Sequence, residues 1–127
     1  MKKLLLLLAL AAAAVTGCRE EPLARARFCA DISPQNPCVG EDNVFIQGTN
    51  VWAHLILSPR FDDTAVTARF YGYQNDQRIF IESIHHELDP GQTLVMEQLF
   101  INLCGDFEIE WLDSSGNLLA KGEFEIW

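Results

Sequence analysis

Basic residues are scarce in this chain of 127 residues. Nine lysines and arginines stand against 18 aspartates and glutamates, a net charge of −9. Beyond Lys3 the only lysine is Lys121. A surface of this sign repels phosphate backbones and anionic headgroups, so no nucleic acid partner is expected. The acids are scattered rather than blocked, the pattern of a solvated surface. Long apolar runs are missing too. The longest, 4–15, has about twelve residues, where a helix that spans a bilayer takes about twenty. Methionine is limited to Met1 and Met96, too little for a thioether copper site. There is no C-x-x-C pair and no G-x-S-x-G elbow, and no internal repeat or low-complexity segment follows the first apolar run. What remains is rich in Phe, Ile, Leu and Val, enough to build a core.

The N-terminus has its own logic. Lys2 and Lys3 precede the apolar stretch 4–15, whose length suits the h-region of a secretory signal. An ordinary cleaved signal could use the alanines around its cut. Val15-Thr16-Gly17-Cys18, however, resembles the bacterial lipobox, in which an aliphatic residue, a small residue and Gly or Ala precede a Cys. The resemblance implies that residues 1–17 are removed and that Cys18 is acylated on sulfur and becomes the new N-terminus. Its acyl chains would make the membrane a partner, since stable attachment takes at least two anchoring signals. In enterobacterial lipoproteins an Asp after the Cys favours the inner membrane. Here that position is Arg19, so the resemblance points to the outer membrane, facing the periplasm. Loss of Lys2 and Lys3 takes the net charge from −9 to −11. Residues 18–27 contain little that packs and are expected to form a tether reaching roughly 30 Å. Residues 28–127 are enough for one domain.

Within that domain the hydrophobic period is two almost throughout, which means strands. Phe28, Ala30 and Ile32 alternate, and Ser33-Pro34-Gln35-Asn36-Pro37 turns the chain. Val44 to Ile46 is a short piece, Val51 to Leu57 a strongly apolar strand. Across 64–73, Val66, Ala68 and Phe70 oppose Thr67, Arg69 and Tyr71. Asn75-Asp76 is a turn before the strand 78–84, and 94–103 is apolar but irregular. At the end, Phe107, Ile109 and Trp111 share one face and Glu108 and Glu110 the other. After the turn 113–117, Leu118, Ala120, Gly122, Phe124 and Ile126 face one way, and Leu119, Lys121, Glu123 and Glu125 the other. About seven strands without a helix predict an all-β antiparallel sandwich.

Gly105-x-Phe107-x-Ile109-x-Trp111-x-Asp113-x-x-Gly116, with Leu119-Ala120 and Phe124-x-Ile126, resembles the last two strands of bacterial Ig-like envelope domains. Phe45-x-x-Gly48-x-x-Val51-Trp52 resembles the entry to their second strand. The resemblance implies a single Ig-like sandwich but no function, because fold alone does not supply one. Its corner residue is often Tyr; here Phe107 removes that hydrogen bond. With Cys18 acylated, Cys29, Cys38 and Cys104 remain, which rules out a four-Cys zinc site. In an oxidising space one disulfide and one leftover thiol are expected. The Ig-like resemblance places Cys38 and Cys104 at one end of the sandwich and so implies that pair first. Cys29 with Cys38 is the close alternative, since the prolines between them can fold the chain back.

Candidate chemistry is thin. His85-His86-Glu87 with Asp89 has metal-ligand character, but adjacent histidines on a strand point to opposite faces. His54 stands alone on an apolar strand and is expected to be hydrogen-bonded in or near the core. Ser58, Ser83, Ser114 and Ser115 lie in or near turns, and Asp62-Asp63 and Glu108/Glu110 on turns or a solvent face. No catalytic residue, cofactor or metal site is expected. The reading is a lipid-anchored, non-catalytic protein-binding or scaffolding module of the bacterial envelope. The alternative is a periplasmic inhibitor of a basic cell-wall hydrolase. The expected partner face gathers Arg69, Tyr71, Glu108, Glu110, Leu119, Lys121, Glu123 and Trp127 on the outer side of the terminal hairpin and the strand beside it, where Arg and aromatic residues serve interfaces.

Overall fold

The computed structural model describes residues 22–127, so the signal segment and Cys18 lie outside the described residues. Nine strands follow: β1 (Ala24–Asp31), β2 (Val39–Glu41), β3 (Val44–Phe45), β4 (Asn50–Leu57), β5 (Ala65–Gln74), β6 (Gln77–Glu87), β7 (Leu94–Phe100), β8 (Gly105–Asp113) and β9 (Leu118–Ile126). One sheet has the order β2-β1-β4-β7, the other β3-β9-β8-β5-β6. All pairings are antiparallel except β3 with β9. This is an Ig-like sandwich in which β6 widens the second sheet. The count exceeds the expected seven because β2 and β3 are short edge pieces.

Two expectations are corrected. The first strand begins at Ala24, not Phe28, so residues 24–27 of the expected tether are paired with Leu57 to His54 of β4. Ala24 is buried in the core and Ala26 packs against it, while Arg25 and Arg27 occupy the other face. The disulfide joins Cys29 to Cys38, not Cys38 to Cys104. The physical reason is local: β2 folds straight back on β1, with Cys29 opposite Glu41 and Asp31 opposite Val39. That return brings Cys38 to Cys29 before the chain crosses to the other sheet. Cys104 is a free, exposed thiol that donates to Gln47 Oε1 at 3.2 Å.

The core lies between the sheets. Val51, Ala53, Leu55 and Leu57 alternate inward along β4, and Phe107, Ile109 and Trp111 along β8. Phe107 stacks on both Phe70 (5.7 Å) and Phe124 (5.6 Å), which stack on each other at 6.3 Å. Aromatic packing thus takes over at the corner where a tyrosine hydroxyl would bond. Phe28 approaches Phe124 to 4.6 Å. It lies so close to β9 that a Cβ on Gly122 would fall 2.7 Å from its ring. Glycine is required there by close approach.

Candidate functional site

The outer face of the five-stranded sheet is assembled by two hairpins. Asn75 and Asp76 both have positive φ, 51° and 63°, the two-residue primed turn whose twist suits a hairpin. It places Arg78 opposite Tyr73. A bulge then shifts β6 so that Phe80 pairs with Tyr71 and Glu82 with Phe70. In the second hairpin Glu110 lies opposite Lys121 and Glu108 opposite Glu123. β5 joins the two hairpins, with Arg69 beside Glu110 and Tyr71 beside Glu108.

Glu108 is the centre of this face. It was expected on the solvent side, and its strand face is as expected, but its side chain is fully covered. Lys121 Nζ reaches diagonally to Glu108 Oε1 at 2.7 Å. The Tyr73 hydroxyl donates to Oε2 at 3.0 Å, and Arg78 Nη1 lies 3.4 Å from the same oxygen. Arg78 also bridges to Glu110 at 3.3 Å, and Lys121 to Glu123 at 3.7 Å. Burial raises the Glu108 carboxyl, but Lys121, Tyr73 and Arg78 outweigh it and hold its pKa below the usual value. Its hydrogen bond to Glu108 pushes the Tyr73 phenol up, and Lys121's own hydrogen bond to Glu108, with the Glu108 charge, pushes the ammonium up. A carboxylate sealed under side chains keeps its charge only when partnered in this way.

Aromatic rings fix the arginines. The Arg78 guanidinium lies 4.0 Å from the Tyr71 ring centre, and Arg69 5.5 Å from that of Phe80. Phe80 meets Tyr71 edge to face at 5.8 Å. Tyr71 was expected as an exposed flank. It is buried beneath Arg78 and Phe80, and burial together with its bond to Glu110 raises its pKa. Phe80 itself is half exposed at 51%.

Six of the eight expected face residues therefore come together: Arg69, Tyr71, Glu108, Glu110, Lys121 and Glu123. Leu119 does not. The β8–β9 register shifts between Trp111 and Leu112, and Leu119 turns to pack against the core. Trp127 lies past the end of β9, where its backbone N–H donates to Phe45 and its indole to Glu125. Tyr73, Arg78 and Phe80 also belong to the face. Period-two counting outward from the Asn75-Asp76 turn, back along β5 and forward along β6, is the signal that finds them.

The histidine pair divides as its strand requires. His85 is exposed and bonds Glu87 at 2.7 Å, whereas His86 turns inward, 3.1 Å from Glu97 and against the Trp111 ring. Ser114 accompanies no histidine here; its hydroxyl donates to Asp63 at 2.7 Å. That contact lowers the Asp63 pKa. Among the described residues no helix is long and apolar enough to cross a membrane.

No protein-family model and no curated protein matches the chain. Among solved structures, a superoxide reductase (neelaredoxin) from Ignicoccus hospitalis aligns at TM-score 0.47 and 10% identity, covering 68% of this chain and 76% of that one. A singly substituted variant of the same reductase aligns at 0.45 and 11%, over 67% and 73%. A Niemann-Pick type C2 protein from Japanese carpenter ant aligns at 0.47 and 13%, over 87% and 96%.

Proposed function

We propose that the protein is a non-catalytic binding module of the bacterial envelope, held on the outer membrane through lipid on Cys18, that docks a protein partner on the outer face of its five-stranded sheet. The observation that carries this reading is the covered Glu108. One carboxylate fixes Tyr73, Lys121 and Arg78 in place, and Arg78 in turn lies on Tyr71. Side chains already ordered lose little freedom on binding. Beside them Phe80 is 51% exposed on β6, an edge strand. Tyr, Arg and Phe side by side are what interface cores use. The Cys29–Cys38 disulfide suits the oxidising side of a membrane.

The second reading, inhibition of a basic cell-wall hydrolase, is favoured by a separate feature. An open recess of about 600 Å³ lies below the same face, lined by Tyr73, Asp76, Asp106, Glu123 and Glu125 among others. Such a recess suits a lysine or arginine side chain of a partner.

A photoreactive amino acid at position 80 or 69 should yield partner adducts in intact cells, with position 62, in an exposed loop, as control. Adducts from position 62 alone, or from none, count against the docking face. Stoichiometric, salt-sensitive inhibition of a basic lysozyme, lost in a Glu123→Gln/Glu125→Gln variant, would favour the second reading.

A further inference from the structure

The opposite sheet holds a cluster unrelated to that face. On its outer side His54 of β4 stands between Arg27 of β1 and Met96 of β7 in register. Cys29 follows Arg27 on the same face of β1, and Cys38 closes over it from the loop 32–38. His54 and Cys29 are both fully buried, while Cys38 is half-buried. Arg27 Nε lies 3.1 Å from His54 Nδ1 and donates to it. Nδ1 is then the acceptor, and the ring proton is on Nε2, a buried atom with no partner. The Nδ1 lone pair sits 3.7 Å from Cys29 Sγ.

A ring nitrogen of His54 and the two sulfurs all lie within 4.8 Å of one another. A tetrahedral zinc ion with bonds of about 2.3 Å to sulfur and about 2.0 Å to nitrogen needs S···N of about 3.5 Å and S···S of about 3.8 Å. The imidazole and Cys29 already meet that spacing. The sulfur–sulfur bond and the Arg27 hydrogen bond to Nδ1 stand in the way, and Cys38 lies beyond the end of β1 in the loop 32–38.

We propose that reducing the Cys29–Cys38 disulfide turns this corner into a zinc site with Cys29 Sγ, Cys38 Sγ and His54 Nδ1 as ligands. A dithiol reductant supplies two electrons and two protons. The sulfur–sulfur bond breaks, two thiols form, and the dithiol leaves as its own disulfide. Zinc then displaces one proton from each thiol and binds two thiolates and a neutral imidazole, a set whose charges cancel. Arg27 releases Nδ1 and remains beside the thiolates, where its charge is favourable. Glu41, cross-strand from Cys29, or a water fills the fourth position. The site is gated: the disulfide form offers no thiolate, and the zinc form shields both thiols from oxidation. The inference is independent of the docking face. Sequence spacing hid the site, because its three ligands come from β1, a loop and β4.

The test uses the full chain with Cys18→Ser and Cys104→Ser, leaving two thiols. The chain is reduced under argon, freed of reductant and titrated with Co²⁺ and then Zn²⁺. The oxidised chain should bind neither. The reduced chain should bind one ion, show thiolate-to-cobalt charge transfer and tetrahedral d–d bands, and release two protons per zinc. His54→Gln should weaken zinc by more than the roughly 10–100-fold that loss of an outer partner costs. If His54→Gln does not fold by circular dichroism, Cys38→Ser, in the loop, should lose the charge-transfer band and zinc binding. A reduced chain that binds no zinc overturns the proposal. So does a reduced chain that unfolds and is not restored by zinc, or a folded His54→Gln that binds with unchanged affinity and spectrum.

Discussion

Lys121 does not pair with the glutamate directly across from it. Its register partner is Glu110, yet its ammonium lies 2.7 Å from Glu108 Oε1, two residues along β8. Glu110 is left to Arg78 at 3.3 Å. The diagonal choice follows from supply: the covered carboxylate needs a full charge, and the half-exposed Lys121 can reach it while its stem covers the site. The outer face is thus organised by one buried acid rather than by a row of independent surface pairs.

Glu108→Gln should therefore destabilise the domain by about 1–2 kcal/mol at pH 7. This is the low end for hydrogen bonds to charged groups, because the covering Lys121 and Arg78 themselves face water. The pH dependence has a defined sign. The folded pKa of Glu108 is depressed, so its contribution is fully present above the unfolded value of about 4.3. It is lost as pH falls through the lower folded value. Urea denaturation of parent and variant should diverge at pH 7 and converge toward pH 3. Equal separation at both would show that the carboxylate charge is not what the network uses.

Much of this architecture was legible and some was not, for physical reasons. The β8–β9 hairpin reads directly from Phe107, Ile109, Trp111, Phe124 and Ile126, because one buried face enforces period two. That period gives a face, not an exposure. Glu108 is covered by Tyr73 and Arg78, which reach it only through the β5–β6 hairpin. Leu119 left its expected side because a one-residue register shift swaps faces. Arg25 and Arg27 hid a paired strand, because the residues that alternate with them, Ala24 and Ala26, are small and gave no strong apolar signal. The Cys29–Cys38 pairing arises from a two-strand return at the sheet edge, which the spacing of cysteines alone does not encode.

The disulfide itself yields a direct measurement. Non-reducing peptide mapping should recover Cys29 linked to Cys38 and Cys104 as a free or intermolecularly paired thiol. The bond closes a loop of sequence separation 9, for which chain entropy gives about 2–3 kcal/mol. A Cys29→Ser/Cys38→Ser chain should still fold, with its urea midpoint lowered accordingly, because domain stabilities run to about 5–15 kcal/mol. A Cys38–Cys104 peptide in the native protein would contradict the observed return of β2 onto β1.

The anchoring proposal is tested at Cys18. Cys18→Ser should abolish acylation and leave the protein in the soluble fraction or unprocessed. Carbonate-washed membranes that still retain a processed Cys18→Ser protein would remove the lipid anchor from the reading.

Gly122 gives the most stringent test of the packing. In a strand, alanine normally improves on glycine by about 0.5–1 kcal/mol, because glycine loses more freedom on folding. At this position the added Cβ would lie 2.7 Å from Phe28 Cε2 and Cζ and 3.5 Å from Ala26 Cβ. The Phe28 ring has little room to move, because it is buried and the Phe124 ring lies only 4.6 Å from it. Overpacking of this kind costs about 1–3 kcal/mol, so the clash wins and Gly122→Ala should lower stability. Phe28→Leu vacates the ring position at the expense of buried area, and in that background Gly122→Ala should cost markedly less. Urea denaturation of the four chains gives the coupling directly. A Gly122→Ala chain as stable as the parent, or a zero coupling with Phe28→Leu, would mean that β1 and β9 do not approach each other as closely as this packing requires.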